Sequence, residues 1–517
     1  MALARAHSVA LVGVKGHLIE VEADIASGLP VTILVGLPDT ALREARDRIR
    51  AAIVNSGEQW PQSKITVGLS PASLPKRGSG FDAAIAAAIL AASGAVPLSS
   101  LAGIMFLAEL GLDGRLRPVP GVLPAVVAAA AGGVDAVVVA GDNAAEAVLV
   151  PGIAVIAAGC LAEVVIWLRG GPVPTPPSAP RPASPADGDQ SALEPQRRHR
   201  DLAEVLGQCE ARKAAEICAA GGHNLSLLGP PGAGKTMLAE RLPTILPRLE
   251  LAAALEVTSI HSVAGMLRAD GGLLTEPPFC APHHTASKAA IVGGGSGVIR
   301  PGAASLAHRG VLFLDEAPEF NRDVLDALRQ PLEAGEVVIA RSAVCARFPA
   351  RFTLVLAANP CPCAKASSGG AGCGCSPAAR RRYLGRLSGP LLDRVDVKVT
   401  LQPVNRQEML YDRAYAETSA VVAQRVADAR ERMAHRLAGA PWRLNAEIPG
   451  AELRRSYALA PGALRPLERA MELGQVSARG ADKIVRVAWS LADLAGRPRP
   501  GSEEVKTAIG LWLGVPA

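Results

Sequence analysis

Aromatic residues make up only 3% of this 517-residue chain. That scarcity argues against a nucleic-acid surface built on bases stacking over Phe, Tyr and Trp. Any DNA contact should instead run through Arg and Lys to phosphates. Charge of one sign is also scarce in excess: the net charge is +6, which permits nucleic-acid binding without demanding it. No apolar run reaches the ~20 residues of a membrane span; the Ala-rich stretch AAIAAAILAASGAV (83–96) is too short. The opening MALARAHSVALVGVKGH has no long apolar segment with a cleavage site, so no signal peptide is expected. The expected location is cytoplasmic, with no membrane partner. Cysteines there stay reduced, so clustered ones point to a metal or to no special role rather than to disulfides.

What is present is the composition of a soluble globular protein, 49% hydrophobic and 20% charged. The length calls for two to four domains. The segment GPVPTPPSAPRPASPADGDQSALEPQ (171–196) has almost no large apolar residue and reads as an extended linker. It divides the chain into an N-terminal domain over 1–170, a Pro/Ala-rich linker over 171–200, a core over 201–404 and a helical region over 405–517. Before the linker, β-branched runs (VTILVGL, KITVGLS, AVVVAG) alternate with Ala-rich helical stretches, as in an α/β or α+β domain. After it, the spacing predicts a helix in DLAEVLGQCEARKAAEICAAGG ended by Gly-Gly, then alternating strands and helices, then helices alone.

HNLSLLGPPGAGKTMLAERL (223–242) reads as a strand, a Gly-rich turn and a helix. Its loop Gly229, Pro230, Pro231, Gly232, Ala233, Gly234, Lys235, Thr236 matches G-x-x-x-x-G-K-[ST] in full. Backbone N–H groups of such a loop close around phosphates, the lysine reaches the β- and γ-phosphates, and the hydroxyl binds Mg²⁺. GVLFLDEAPEF (310–320) is a buried strand tipped by Asp315, suited to the Mg²⁺ shell, and Glu316, suited to polarise a water. FTLVLAAN (352–359) ends in Asn359, which can orient that water. Arg394, in GPLLDRVD, could reach a neighbouring subunit's γ-phosphate; Arg479, opening a later helix, could sense nucleotide from the lid. ATP and Mg²⁺ are the expected cofactors.

Strand–P-loop–helix, LFLDE, a strand ending in Asn, LLDR and a helical lid resemble the AAA+ ATPases. APHHTASKAAIVGGG, RPGAASLAHRGVLFLDEAPEF and NPCPC…CGCSP…RRYLGRLSGPLLDRVD narrow the resemblance to the magnesium-chelatase-like YifB/ComM family. SGLPVTILVGLPDTALREARDRIRAAIVNSG and LSPASLPKRGSGFDAAIA resemble its N-terminal Lon-protease-like domain. The implied fold class is α/β: a Lon-protease-like (ribosomal S5 domain 2-like) α+β domain, an AAA+ P-loop core with pore inserts, and a helical C-terminal lid. The resemblance implies an ATP-driven hexameric motor on branched or heteroduplex DNA, a helicase of the competence-associated type. It gives Lys235 and Thr236 to Walker A, Asp315 and Glu316 to Walker B, Asn359 to sensor 1, Arg394 to the arginine finger and Arg479 to sensor 2. Arg486, on the same helix, is a second sensor-2 candidate. A magnesium-chelatase-type subunit and a chaperone-like protein remodeller are the alternatives.

Lys235 and Asp315 lie 80 residues apart, more than a minimal connection needs. The surplus KAAIVGGGSGVIRPG (288–302) reads as a projecting insert, and GEVVIARSAVCARFPARF (335–352) as a hairpin. They carry Lys288, Arg300, Arg341, Arg347 and Arg351, cations suited to a phosphate backbone. The family pattern has an acidic residue after Pro-Gly, where this chain reads PGAASLAH, and an arginine where Cys280 stands. In PKRGSGFD (75–82) the nucleophile position of a Lon-type Ser–Lys dyad falls on Gly80, with Ser79 one residue early. Such a shift defeats the geometry of attack, so a structural or docking module is expected rather than a protease. Finally, Cys361, Cys363, Cys373 and Cys375 supply the four thiolates of a tetrahedral zinc site, or stand as four reduced thiols in a loop.

Overall fold

The computed structural model describes residues 2–36, 39–76, 78–174, 200–267, 272–295, 299–341, 344–363 and 373–515. Most of the segment read as a linker, 175–199, lies outside them. Before it stands a seven-stranded mixed sheet. Its order is Val31–Val35, Lys64–Ser70, Lys15–Ala26, Ala2–Val12, Ile104–Leu107, Ala136–Ala140, Ala154–Ala158. Ala2–Val12 and Lys15–Ala26 form one long antiparallel hairpin, paired from Ala2↔Ile25 to Val12↔Lys15. Its two-residue turn needs left-handed backbone at its first position, which Gly13 takes (φ 66°). The helix Asp82–Ala92 is apolar on every face after its first residue and is buried at all eleven positions, against both hairpin strands. Asp82 is tolerated there because Arg48 holds both its oxygens (2.6 and 3.1 Å) and the Leu110 N–H donates to it.

The second sheet is parallel throughout, in the order Phe279–Cys280, Val311–Leu314, Thr353–Ala358, Leu225–Leu228, Val397–Thr400. Val311–Leu314 and the central strand Thr353–Ala358 are buried at every residue, the continuous apolar pattern of strands covered on both faces. The helix in front of this sheet begins later than the sequence pattern suggests. Asp201 caps a short 3₁₀ turn over Leu202–Glu204, and the α-helix runs Cys209–Gly221, stopped by Gly222 in the left-handed conformation (φ 75°). The hairpin expected in 335–352 is present as Glu336–Arg341 paired with Val344–Pro349.

Beyond the second sheet the chain is helical, with long helices at Ser419–Arg436, Pro461–Glu472, Ala478–Leu494 and Ser502–Leu513. These do not stand apart from the sheet. Ala478–Leu494 packs on Cys209–Gly221, Ser502–Leu513 packs on the edge strand Val397–Thr400, and one hydrophobic core runs through all of them. No helix among the described residues is long and apolar enough to cross a membrane.

The join between helices and sheet contains a buried polar cluster. His223, fully buried, shares a 2.7 Å hydrogen bond between Nε2 and Ser490 Oγ, and its Nδ1 stands 3.9 Å from Asp396. Burial lowers the His223 pKa to about 4; Asp396 opposes the shift, while Lys483, Arg486 and Arg430 add to it. The imidazole is thus neutral when folded, and protonation favours the unfolded chain, where its value is about 6.5. This contribution is complete above about pH 6.5 and is lost as pH falls toward 4. Thermal unfolding of the wild type should therefore shift to lower temperature between pH 6.5 and 5, above the range of ordinary carboxylates. His223→Gln should flatten that part of the profile, and an unchanged slope would remove His223 from the account.

Candidate nucleotide site

The site follows from strand register. Leu228 pairs with Ala358 and Leu314 pairs with Leu356 in parallel strands, so the Gly229 loop, Asn359 and Asp315–Glu316 leave the sheet at the same edge. The Gly229 N–H donates to the Ala358 carbonyl at 3.1 Å, which seats the loop on the central strand. A Cβ on Gly229 would stand 2.9 Å from the Leu401 carbonyl oxygen, so the backbone approach requires glycine there. Gly234 turns the loop into the helix Lys235–Arg241 with left-handed backbone (φ 89°).

Lys235 is buried, with Nζ donating to the Gly229 and Pro230 carbonyls (2.7 and 3.0 Å) and to Asn359 Oδ1 (3.0 Å). Burial lowers its pKa, and Asp315 and Glu316 oppose that shift. Thr236 Oγ1 donates to Asp315 Oδ2 at 2.7 Å. A hydroxyl and a carboxylate so placed fit Mg²⁺, which takes few protein oxygens beside phosphate and water. Asp315 Oδ1 accepts the Glu316 N–H (2.9 Å), and Glu316 itself is in the left-handed region (φ 50°, ψ 42°). A non-glycine residue held there marks a constrained turn that aims its side chain. Beside these lies an open cleft of about 250 Å³, lined by Thr236, Asp315, Glu316, His283, His284 and Phe313.

Two contributors escaped the sequence reading. His284 places Nδ1 3.4 Å from Glu316 Oε2, with the His283 ring tilted against it at 4.1 Å between centroids. APHHT was visible as a motif, but nothing in it indicated which acid it would face. Tyr383 is buried, and the Asn359 backbone N–H is directed at its hydroxyl. Burial first, then the carboxylates of Glu319 and Glu316, raise its pKa to about 12.

The arginines divide differently from expectation. The Arg394 carbonyl accepts from Asn224 Nδ2 (2.8 Å) at the start of the sheet, the edge opposite the P-loop. Its guanidinium is paired with Glu333 and largely buried. Burial, and then the charges of Arg479 and Arg329 nearby, lower the Arg394 pKa. Arg479 is exposed in the first turn of Ala478–Leu494. These two therefore gather away from this chain's own loop. Arg486 requires a correction: the structure does not bring it to the nucleotide. It points into the helix–sheet join, donating from Nε to the Ile448 carbonyl (2.8 Å), with Asp396 and Asp482 as its charge neighbours. Seven residues beyond Arg479 along the helix, it faces the protein interior.

Of the insert cations, Lys288 opens the helix Lys288–Val292 and is exposed, as is Arg300, bridged to Gly294. Arg347 is paired with Glu336 at 2.6 Å, and Arg351 lies 3.8 Å from Glu447. Arg341 ends a strand, and its side chain lies outside the described residues. The other face of the hairpin, Ala346 and Phe348, is buried with Leu11, Val14 and Val263, and a side chain on Gly13 would collide with the Arg347 carbonyl. The N-terminal hairpin tip thus rests on this insert. The four cysteines also converge: Cys361–Cys363 Sγ atoms are 3.3 Å apart, with Cys373 3.5 Å from each, and all four sulfurs lie within 4.8 Å of one another.

The phosphate-type loop, the paired acids and the polar strand tip on a five-stranded parallel sheet define a P-loop nucleotide-binding protein of the AAA+ type. Comparison with known proteins narrows the class. The family model described as magnesium chelatase subunit ChlI matches residues 201–409, with further ChlI models matching 21–143 and, for the C-terminal part, 416–511. An uncharacterised protein of Mycobacterium tuberculosis is 52% identical over 514 residues, 98% of each chain. Competence protein ComM of Haemophilus influenzae is 41% identical over 513 residues, 99% of this chain and 97% of its own. YifB of Escherichia coli is 41% identical over 501 residues, 96% of this chain and 94% of its own. The chain belongs to the YifB/ComM family of magnesium-chelatase-like AAA+ proteins, which implies use of ATP and Mg²⁺.

The geometry predicts separable effects on either side of the loop. Lys235→Ala should abolish nucleotide binding and hydrolysis together. Glu316→Gln, isosteric beside His284, should retain binding and lower turnover by about 10²–10⁴-fold, the range for losing a positioned base. Equilibrium binding of a fluorescent ATP analogue and steady-state phosphate release measure the two; equal loss of both in Glu316→Gln would remove it from hydrolysis.

Proposed function

We propose that this chain is an ATP-hydrolysing motor that assembles as a ring, six copies by resemblance to its family, and drives strand exchange or branch migration on DNA. The observation that carries the ring is the placement of Arg394 and Arg479 at the sheet edge away from their own P-loop. Arginines that serve a γ-phosphate from there must serve a neighbour's. In this reading Lys235 holds the phosphates, Thr236 and Asp315 hold Mg²⁺, Glu316 polarises water and Asn359 orients it. Mg²⁺ supplies neutralisation of charge on the β- and γ-phosphates. Lys288 and Arg300, both exposed, support a phosphate-backbone contact, as does Arg347 on the hairpin. The four-cysteine cluster holds zinc.

The N-terminal domain is of the Lon-protease-like type and serves as a docking module rather than a peptidase. At Gly80 a side chain would meet Leu107 and Val119, apolar groups that offer no base. Lys76 is buried with Nζ bound to the Pro71 and Leu74 carbonyls, and the Ser79 hydroxyl is bound to Glu109. Lys76 is thus bound to backbone carbonyls and Ser79 to a carboxylate, so the Ser–Lys dyad of a Lon-type peptidase is not assembled.

ATPase should rise with forked or single-stranded DNA and not with unfolded protein or porphyrin. DNA binding should weaken steeply as salt rises. Absence of both effects would sink the DNA reading and favour the protein remodeller or chelatase alternatives. Arg394→Ala should keep nucleotide affinity and lose about 10³-fold or more in turnover, as arginine fingers do. Mixing Arg394→Ala with Glu316→Gln should restore part of the activity, since mixed interfaces reunite an intact finger with an intact acid. Failure of that rescue would place Arg394 outside the neighbour's site.

A further inference from the structure

The four cysteines lie in the loop that leaves the central strand at Asn359 and returns into the helix Pro377–Leu384. The sulfurs of Cys361, Cys363 and Cys373 stand 3.3–3.5 Å apart, with that of Cys375 within 4.8 Å of each, far from the ~2.05 Å of a disulfide and close to the ~3.8 Å edge of a tetrahedron with ~2.3 Å metal–sulfur bonds. Among the described residues this is the one cluster of potential metal ligands. Four thiolates around Zn²⁺ carry two net negative charges, and the surroundings answer them. Arg380 Nη2 donates to Cys373 Sγ at 3.4 Å, with Arg381 and Arg382 following, and the helix that Ser376 caps begins immediately after Cys375.

The far end of that helix touches the hydrolytic edge. Tyr383 is only 5% exposed, with its hydroxyl meeting the Asn359 backbone N–H. Arg386 donates from Nη1 to Glu319 Oε2 (2.8 Å) and to the Pro318 carbonyl (3.2 Å), in the turn that follows Glu316. The cysteine loop is thus closed on itself, with one end at Asn359 and the other leaning on both Asn359 and the Glu316 turn. A metal on the four sulfurs would tie the start of the helix Pro377–Leu384 to the chain that leaves Asn359.

We propose that Cys361, Cys363, Cys373 and Cys375 bind one Zn²⁺ whose purpose is to fix the helix Pro377–Leu384, so that Tyr383 acts as a positioning residue for Asn359. The second half rests on the ATPase reading above; the metal site does not. Neither zinc nor Tyr383 touches substrate, so their loss acts on turnover and leaves nucleotide affinity in place.

The test uses the full-length protein. Elemental analysis after exhaustive dialysis should give one zinc per chain in the wild type and none in Cys373→Ser. A metal-free wild type, or one holding iron when purified with or without air, overturns the zinc site. Tyr383→Phe should keep its zinc and its ATP-analogue affinity while kcat falls on the order of tenfold, the equivalent of one lost hydrogen bond of about 1.4 kcal/mol. Hydrogen exchange supplies the readout independent of activity. The peptide spanning 352–363 should exchange faster at the Asn359 amide in both Tyr383→Phe and Cys373→Ser, and wild-type exchange in either overturns the positioning role. A wild type that holds zinc and protects Asn359 without hydrolysing ATP would overturn the ATPase reading and leave the clasp standing.

Discussion

The parallel register of the central strand Thr353–Ala358 with its two neighbours is the constraint on which the site depends. Parallel strands deliver every C-terminal end to one edge, and the pairings Leu228↔Ala358 and Leu314↔Leu356 bring three short loops within reach of one phosphate group. A slip of one residue would turn each strand's side chains to the opposite face. It would also part Lys235 Nζ from Asn359 Oδ1, now 3.0 Å apart. Val311–Leu314 and Thr353–Ala358 are apolar on both faces, so side-chain alternation cannot guard against that slip; the polar contacts at the strand ends do, with the Leu354 N–H bound to Asn224 Oδ1 and the Gly229 N–H to the Ala358 carbonyl.

The opposite edge is organised just as tightly, by Asn224. Its side chain accepts from the Leu354 N–H (2.8 Å) and donates to the Arg394 carbonyl (2.8 Å), while its backbone N–H donates to Asp396 (2.9 Å). One asparagine therefore joins the starts of three strands. Asp396 also receives Lys483 from the helix Ala478–Leu494. Its pKa is lowered despite burial, through Lys483 and His223. The C-terminal helices thus take part in setting where Arg394 and Arg479 stand, through a charge pair at the base of the sheet. A ring built from such subunits would transmit strain at one nucleotide through the same five strands to the arginines that face the next.

What could be read from the sequence follows the range of the interactions. Gly229–Thr236, Asp315–Glu316 and the strand ending in Asn359 are each local patterns in which a few consecutive residues determine backbone shape, and the strand–loop–helix and the hairpin at 336–349 are present as the residues suggest. Facing was not legible. Arg479 and Arg486 share a helix, and only packing decides that one is exposed while the other lies in the join with Ile448. The long strands Ala2–Val12 and Lys15–Ala26 are rich in alanine and charge, so pairing rather than propensity makes them strands. His284 against Glu316 and Tyr383 against Asn359 join residues 32 and 24 positions apart (316 − 284 and 383 − 359), which no periodicity connects.

The N-terminal domain limits what the hairpin Glu336–Pro349 can present. Phe348 is fully buried in the contact with Leu11, Val14 and Val263, and removing such a side chain from water is worth about 1.5–3 kcal/mol. The docked face is therefore held closed, and the face left open is the one on which Cys345 and Arg347 are exposed; under the DNA reading proposed above, that is the face a nucleic acid would meet. Arg347 is already paired with Glu336, which at first sight spends its charge. Yet both partners are well exposed, at 60% and 35% of the side chain, and such pairs are worth only about 0–1 kcal/mol. A phosphate arriving with its counterions released can outbid that. If the proposed motor reading holds, the exposed pair with Glu336 keeps Arg347 available, because a contact that weak can be exchanged for a phosphate and re-formed at little cost.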